Sequence, residues 1–530
     1  MIFLFVIIPI LIAVFLYLFP HSRIARIIVI ITQAALVCCA VYLFSITRDS
    51  VLVTGIGNFE NVMGIMLTAD SLSSVFIVLT TFIFLIAAVY SYHEDNTGLF
   101  WFLLFIWEGL LLGILLASDL FNIFVLVEVA TVIVSVLIMF NRGKRSMYDG
   151  MVYLMVNVVV VQFYLFGIGY IYKLTGVLDI TKAGEILKTL DKSQLILPYA
   201  LIITTIALKC AFLPLYSWLP RAHGTPGAPS SVSAILSGLH IKCGLYLFIR
   251  VQELFGPASQ ASFFLVIGII TGIAGFLMAL SQTDIKKILA FSTISQIGLI
   301  TIGLNVPDTY TFTGSLYHIV NHSLFKTALF LSAGMIINIY GTRDINKIRG
   351  LFKRSPLIAI ITIMAIFGIT GVPMFNGSIS KYFIVSGTNW IVTAAIIFIN
   401  LGTITLFIRY SVILFGSPEG ILGDAKDVKI DDFQKIAVTI LGVLCFITGI
   451  FGEEFIGILF NIKVSVDPAG FLQKSSLFAG SLVLGLLIYR YYVPKSKFLR
   501  KIEGIDPGFR GICISMGIFF ALVLLTAQFS

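Results

Sequence analysis

The strongest constraint on this chain is its series of apolar runs, each about 18 to 25 residues long. That is the length needed to cross a hydrocarbon layer about 30 Å thick as a helix. The first run, MIFLFVIIPILIAVFLYLF, opens the sequence. It has no basic n-region and no small-residue cleavage site before His21, so it reads as a retained first helix and not as a signal peptide. Charged residues are 12% of the 530, against about 25% in soluble proteins. That leaves too little polar surface for a soluble fold of this size. The expected fold is all-α and polytopic, with about 16 transmembrane helices. The connections, at most about 24 residues, leave no room for a soluble domain.

The net charge of +9 raises the question of nucleic acid, and the placement of the charge answers it. If the loop holding Arg23 and Arg26 is cytoplasmic, alternate loops on that side carry about 22 basic residues against about 8 on the other. Arg142, Lys144, Arg221, Lys286, Lys347, Lys426, Lys429 and Arg500 are among them. This is a topology signal, and it places both termini outside, in the cell membrane of a prokaryote. The six cysteines all lie in apolar runs and make neither a CxxC nor a metal-ligand spacing. No metal is expected.

Ionisable residues inside the spans are the place to look for function, because a charge at the bilayer centre costs several kcal/mol unless it is paired or hydrated. Glu128 lies in SDLFNIFVLVEVATVIV, about 13 Å below a helix start at Asp119. Glu108, one span earlier, is a second candidate that falls nearer a surface. Lys209 lies deep in ITTIALKCAFLPLYSWLP, five residues before Pro214. A proline there breaks or kinks the helix, and broken helices at mid-membrane suit ion paths. A buried lysine can release its proton, as an arginine cannot. A static salt bridge between helices is the bland alternative. Lys242 lies in SAILSGLHIKCGLYLFIR, near His240, Ser237 and Ser233. His318, His322 and Lys326, at i, i+4 and i+8, form one helix stripe about 12 Å long. They read as a proton wire, with packing histidines or a metal pair as alternatives. Lys381 follows Gly371, Pro373 and Gly377, which predict a second broken helix.

Two proline-interrupted spans, each with a lysine, point to an internal repeat. The expected organisation is a three-helix segment over 1–92, five-helix repeats over 98–252 and 261–416, a closing helix over 434–458, and two extra helices over 475–528. The repeats would be inverted, each with one broken helix, at 196–219 and 356–386. In QTDIKKILAFSTISQIG, Ser292, Thr293, Ser295 and Gln296 read either as water-holding groups or as helix glue.

Several of these segments together resemble one family. They are DLFNIFVLVE, KCAFLPLYSWLPRAH with APSSVSAILSGLHIKCGLY, QTDIKKILAFSTISQIG, YHIVNHSLFKTALFL and GVPMFNGSISKYF. The family is that of the antiporter-like membrane subunits shared by respiratory complex I (NADH:quinone oxidoreductase), Mrp sodium/proton antiporters and membrane-bound energy-converting hydrogenases. The resemblance covers about residues 100–390. It implies a proton-translocating subunit, with sodium left open, in a complex of other membrane subunits. Glu128 would pair with Lys209, Lys242 would be the central connecting lysine, His322 and Lys326 would belong to the central histidine helix, and Lys381 would be the exit lysine. It further implies no cofactor on this chain. Iron–sulfur, flavin, nickel or quinone chemistry would belong to partner subunits, including any soluble redox module.

Gln296 stands where many relatives have histidine. The last two spans lie beyond the fourteen-helix core, and no long amphipathic lateral helix follows them. A stand-alone ion-coupled solute transporter is the rival reading. It would need a polar substrate cavity that no Asn, Gln or aromatic cluster suggests.

Overall fold

In the apolar runs every backbone N–H and C=O must find a partner inside its own segment, and the α-helix is what satisfies that. The computed structural model describes residues 2–529 except 20–22, 57–64, 95–96, 257–259 and 418–429. Lys426 and Lys429 of the charge count therefore lie outside the described residues.

The chain opens with α1 (Leu4–Leu18) and α2 (Arg23–Thr47), then a hairpin of β1 (Leu52–Ile56) and β2 (Ile65–Ala69), then α3 (Ser71–Tyr90). A first group follows: α4 (Gly98–Leu116), α5 (Leu120–Ile138), α6 (Lys144–Thr175), α7 (Ile180–Leu187), α8 (Lys192–Lys209), α9 (Trp218–Gly224), α10 (Ser230–Ile235) and α11 (Ile241–Phe255). The second group is α12 (Ala261–Ser281), α13 (Ile285–Leu304), α14 (Thr309–Tyr340), α15 (Leu351–Arg354), α16 (Pro356–Thr370), α17 (Asn376–Ser386) and α18 (Trp390–Ser411). The chain closes with α19 (Asp432–Ile450), α20 (Gly452–Phe460), α21 (Pro468–Leu487), α22 (Lys497–Glu503) and α23 (Phe509–Phe529).

Thirteen helices among the described residues are long and apolar enough to cross a membrane, and α1 and α16 are shorter apolar helices. The protein is a multi-pass helical membrane protein. The antiparallel hairpin, which pairs Leu52 with Ala69 and Ile56 with Ile65, corrects the all-α expectation locally. It occupies the connection between α2 and α3.

Aspartates start several spans. Asp119 accepts from Asn122 N at 2.7 Å, and Asp284 from Lys286 N at 2.9 Å. Asp308 accepts from Thr311 N at 2.8 Å. Each satisfies a backbone donor that has no intrahelical partner. Both predicted breaks are present. The helix stops at Lys209 and resumes at Trp218, and it stops at Thr370 and resumes at Asn376. Two further interruptions carry no proline signal. Leu236–His240 is a π-helical segment, and the expected closing helix over 434–458 divides at Phe451.

The 32-residue α14 lies at the centre, packed by α10, α13, α16, α17 and α19. The last two helices separate. α21 runs along α18, whereas α23 packs on α6 and α8. The segment between them is tied down by Arg221, whose Nη2 is 2.9 Å from Asp506 Oδ1. Two isolated antiparallel bridges, Asp119 with Asp179 and Asp284 with Asp344, close the two helix groups in the same way.

Candidate functional site

The buried basic residues come from helix interruptions and from the central helix. Lys209, Lys242, Lys326 and Lys381 are between 0% and 8% exposed, and His318 and His322 are fully buried. None of the eight ion pairs among the described residues includes them. Their polar partners are hydroxyls, amides, backbone carbonyls and imidazoles.

Lys209 is the last residue of α8, where free carbonyls and the negative end of the helix dipole favour a cation. Leu208 O is taken by Trp218 Nε1 at 2.8 Å, so α9 folds back over the break. Lys209 Nζ donates to Thr131 Oγ1 at 2.8 Å. The expected contact with Glu128 is absent in this conformation. Glu128 is half-buried on α5, its Oε2 is without a partner, and Lys209 is the basic group whose field it feels. Thr131, one helical turn further along α5, takes the lysine instead. Glu108 is the second candidate of the sequence, on α4. It is fully buried and accepts from Gln33 Nε2 at 2.6 Å.

Lys242 follows the π-helical segment, whose wider turn frees backbone carbonyls. Its Nζ donates to the carbonyl of Ser237 and lies 2.5 Å from His322 Nδ1. Gly244 allows α11 to pass close to the end of α8: a Cβ there would stand 3.2 Å from the Lys209 carbonyl oxygen. His240 ends the π-helical segment, two residues before Lys242. Its Nε2 is 3.2 Å from Tyr153 Oη, and its ring packs edge-on against Trp107.

Along α14, the rings of His322 and His318 have centroids 6.3 Å apart. His318 Nε2 is 3.0 Å from Gln296 Oε1, and its Nδ1 is 2.8 Å from Ser380 Oγ. Gln296 Nε2 donates to Thr403 Oγ1 at 3.2 Å. The amide oxygen thus faces the histidine, and Nε2 carries the proton in the neutral ring. Lys381 follows Ser380 directly. Its Nζ donates to Ile369 O at 2.6 Å and to Asn400 Oδ1 at 2.7 Å. It thereby caps the carbonyl end of α16 from across the break. The two lysines are not placed alike: Lys209 ends the first half of its broken helix, and Lys381 lies within the second half of its own. Lys326 turns the other way and donates to Leu289 O at 2.9 Å and to Ser292 Oγ.

The structure therefore joins Lys242 to His322, and His318 to Gln296 and Ser380, through short contacts; His322 and His318 are one helical turn apart, and Lys381 follows Ser380 in the chain but bonds Ile369 O and Asn400. Thr131, Ser380 and Asn400 were not singled out from the sequence. Asn400, a lone amide in an apolar run, carried a signal; the hydroxyls did not. Among the described residues, no three His, Cys, Asp or Glu side chains converge as a metal site would require.

Residues 117–408 match the family described as NADH:quinone oxidoreductase/Mrp antiporter, transmembrane. The chain belongs to this family. Relatives in the NADH:quinone oxidoreductase/Mrp antiporter family include a Na(+)/H(+) antiporter subunit of Alkalihalophilus pseudofirmus. It is 28% identical over 425 residues, which are 77% of this chain and 85% of the relative. An NADH-quinone oxidoreductase subunit of Desulforudis audaxviator is 30% identical over 420 residues, 74% and 83% of the two chains. Two solved assemblies share the fold at 22% identity and a TM-score of 0.78. One is the Mrp complex from a Dietzia species, matched over 95% of this chain and 99% of that one. The other is an archaeal membrane-bound sulfane sulfur reductase, matched over 90% and 99%. As a family member the chain is an antiporter-like, ion-translocating membrane subunit, and the reading as a stand-alone solute transporter is not favoured.

Proposed function

We propose that this chain moves protons through a relay of Glu128, Lys209, Lys242, His318, His322, Lys326 and Lys381. The observation that carries the reading is the succession of Lys242, His322, His318, Ser380 and Lys381, with contacts of 2.5 Å between Lys242 and His322 and 2.8 Å between His318 and Ser380, and with the two imidazole centroids 6.3 Å apart between them. A lysine held among neutral partners in a low-dielectric interior is easily switched between its charged and neutral forms. At about 4 Å and an effective dielectric near 20, one added or removed charge changes its energy by about 4 kcal/mol. In this scheme Glu128 swings toward Lys209 to hold its proton and swings away to release it. The Thr131-bound geometry is the separated state. The proton then passes to Lys242, along His322 and His318, and leaves at Lys381. Lys326 is a branch toward the opposite face. Sodium is left open, since the line itself offers lysines and imidazoles where a sodium path would use carboxylates.

The architecture that suits this is a core of inverted five-helix repeats over 98–252 and 261–416, about 16 spans in all, and both termini outside. The equal spacing of the two bridges supports the repeat: Asp119 and Asp284, like Asp179 and Asp344, are 165 residues apart. By analogy with the assemblies of its relatives, the partners are other antiporter-like subunits and small membrane subunits. No cofactor is assigned to this chain, and any redox centre would belong to a partner module.

The test is Lys209→Ala in the assembled complex, in inverted membrane vesicles, with proton movement followed by a pH-gradient dye. The relay requires that translocation is lost while assembly is kept. Translocation at the normal rate overturns it.

A further inference from the structure

The last part of the chain lies outside the matched family segment, which ends at residue 408, yet it touches both halves of the first broken helix. α23 packs along α8, the half that ends at Lys209. Ile512, Met516, Phe519 and Val523 are buried and recur every three or four positions, so one face of α23 is committed to the bundle. Its far end is held by polar contacts. Gln260 Nε2 donates to Val523 O at 3.1 Å, and Thr526 Oγ1 donates to Gln260 Oε1 at 2.9 Å. Gln260 N donates in turn to Tyr199 Oη of α8 at 3.2 Å.

At the near end the connection 504–508, between α22 and α23, reaches α9, the half that resumes after the break. Arg221 of α9 is the handle. Its Nη2 is 2.9 Å from Asp506 Oδ1 and donates to Pro507 O at 3.4 Å, and its Nη1 donates to Asp149 Oδ1 on α6 at 3.4 Å. A planar guanidinium can serve these acceptors together because its donors form a fixed fork. Ser217 Oγ, in the break itself, donates to the same Pro507 carbonyl at 3.5 Å. Ile505 and Asp506 line one small pocket with Tyr216, Ser217 and Arg221. The Arg221 side chain is 11% exposed and Asp506 is 53% exposed, so Asp506 can be changed without opening the core. α9 in turn holds the first half, since Trp218 Nε1 takes the carbonyl of Leu208, the residue before Lys209.

We propose that residues 504–529 splint the first broken helix, and that Asp506 is a positioning residue for Lys209, acting through Arg221, α9 and the Trp218–Leu208 bond. The two halves are joined in the chain only by residues 210–217, and the splint bridges them from outside. It fixes the angle between α8 and α9. That angle sets where the Lys209 ammonium stands relative to Thr131 and Glu128 on α5. The consequence for transport rests on the relay reading, whereas the splint itself can be measured without transport.

The experiment is N-ethylmaleimide labelling of Ser217→Cys in the intact complex in membranes, after subtraction of labelling in the parent protein. Residue 217 is buried, so the reaction should be slow. Adding Asp506→Ala should speed it by roughly tenfold, the scale of one hydrogen bond to a charged group. Proton translocation in Asp506→Ala should slow by roughly tenfold, since misplacing a reacting group by about 1 Å costs up to about 100-fold. Asp506→Glu keeps the pair with Arg221 and should restore both. Labelling unmoved by Asp506→Ala overturns the splint. Faster labelling with translocation at the parent rate, or translocation that Asp506→Glu leaves slow, overturns the positioning role. If Lys209→Ala still pumps, the relay fails, and faster labelling in Asp506→Ala still upholds the splint.

Discussion

Lys242 Nζ stands 2.5 Å from His322 Nδ1, across the contact between α11 and the central helix α14. The contact depends on the π-helical segment Leu236–His240, which rotates the start of α11 and offers Ser237 O as a second acceptor for the same ammonium. It is the only direct side-chain link among the described residues from the first helix group's lysines to the histidine stripe.

Lys242→Arg tests whether that link works by proton release or by charge alone. Arginine keeps the charge but does not give up its proton. A relay step predicts a loss of translocation of about 100-fold, the scale of a positioned acid–base group, with assembly unchanged on a native gel. Retained proton pumping in Lys242→Arg would reduce the residue to an electrostatic support.

Gln296→Leu should expose the part played by the amide beside His318. The change leaves His318 Nε2 and Thr403 Oγ1 without their cross-helix partner. Unpaired buried polar groups cost about 1 to 3 kcal/mol, so thermal unfolding in detergent should occur at a lower temperature. Gln296→His, which can still bond His318, should recover most of that stability. Equal stability of all three proteins would show that the amide bond contributes nothing.

Asp70 gives the fold an acid-sensitive latch outside the spans. Burial pushes its carboxyl up, but the Arg250 guanidinium at 2.5 Å and the Ser73 N–H at 2.8 Å together hold it below the usual carboxylate range. A value lower in the folded than in the unfolded chain means that its stabilisation is full above about pH 4. It is lost as pH falls through the folded value. Asp70→Asn should therefore lower the unfolding temperature at pH 7, and the gap to the parent should close below about pH 4. A gap independent of pH would assign the effect to packing.

How far the site could be read from sequence differs from residue to residue. Lys209, Lys242 and Lys381 stood out because a charge in an apolar run has few neutral explanations. Pro214 and Pro373 announced both broken helices, because proline removes a backbone donor wherever it occurs. The π-helical turn and the division at Phe451 had no such marker, since neither needs a special residue. Asn400 lies 19 residues from Lys381 in sequence, and Ser380 lies 62 residues from His318. Nothing in one span records which face of another it meets.

The run lengths and the few charges settled that this chain is a stack of membrane helices, and the placement of rare charges settled which residues to watch. Both follow from solvation, which acts on each segment separately: apolar surface goes to lipid, and a buried charge needs a reason. Packing decided the rest. It gave Lys209 to Thr131 in preference to Glu128, set Lys242 against His322, and laid α21 over Lys381. These choices depend on the crossing of helices far apart in the chain. At those crossings a few tenths of an ångström at Gly244 or Lys242 decide which donor reaches which acceptor.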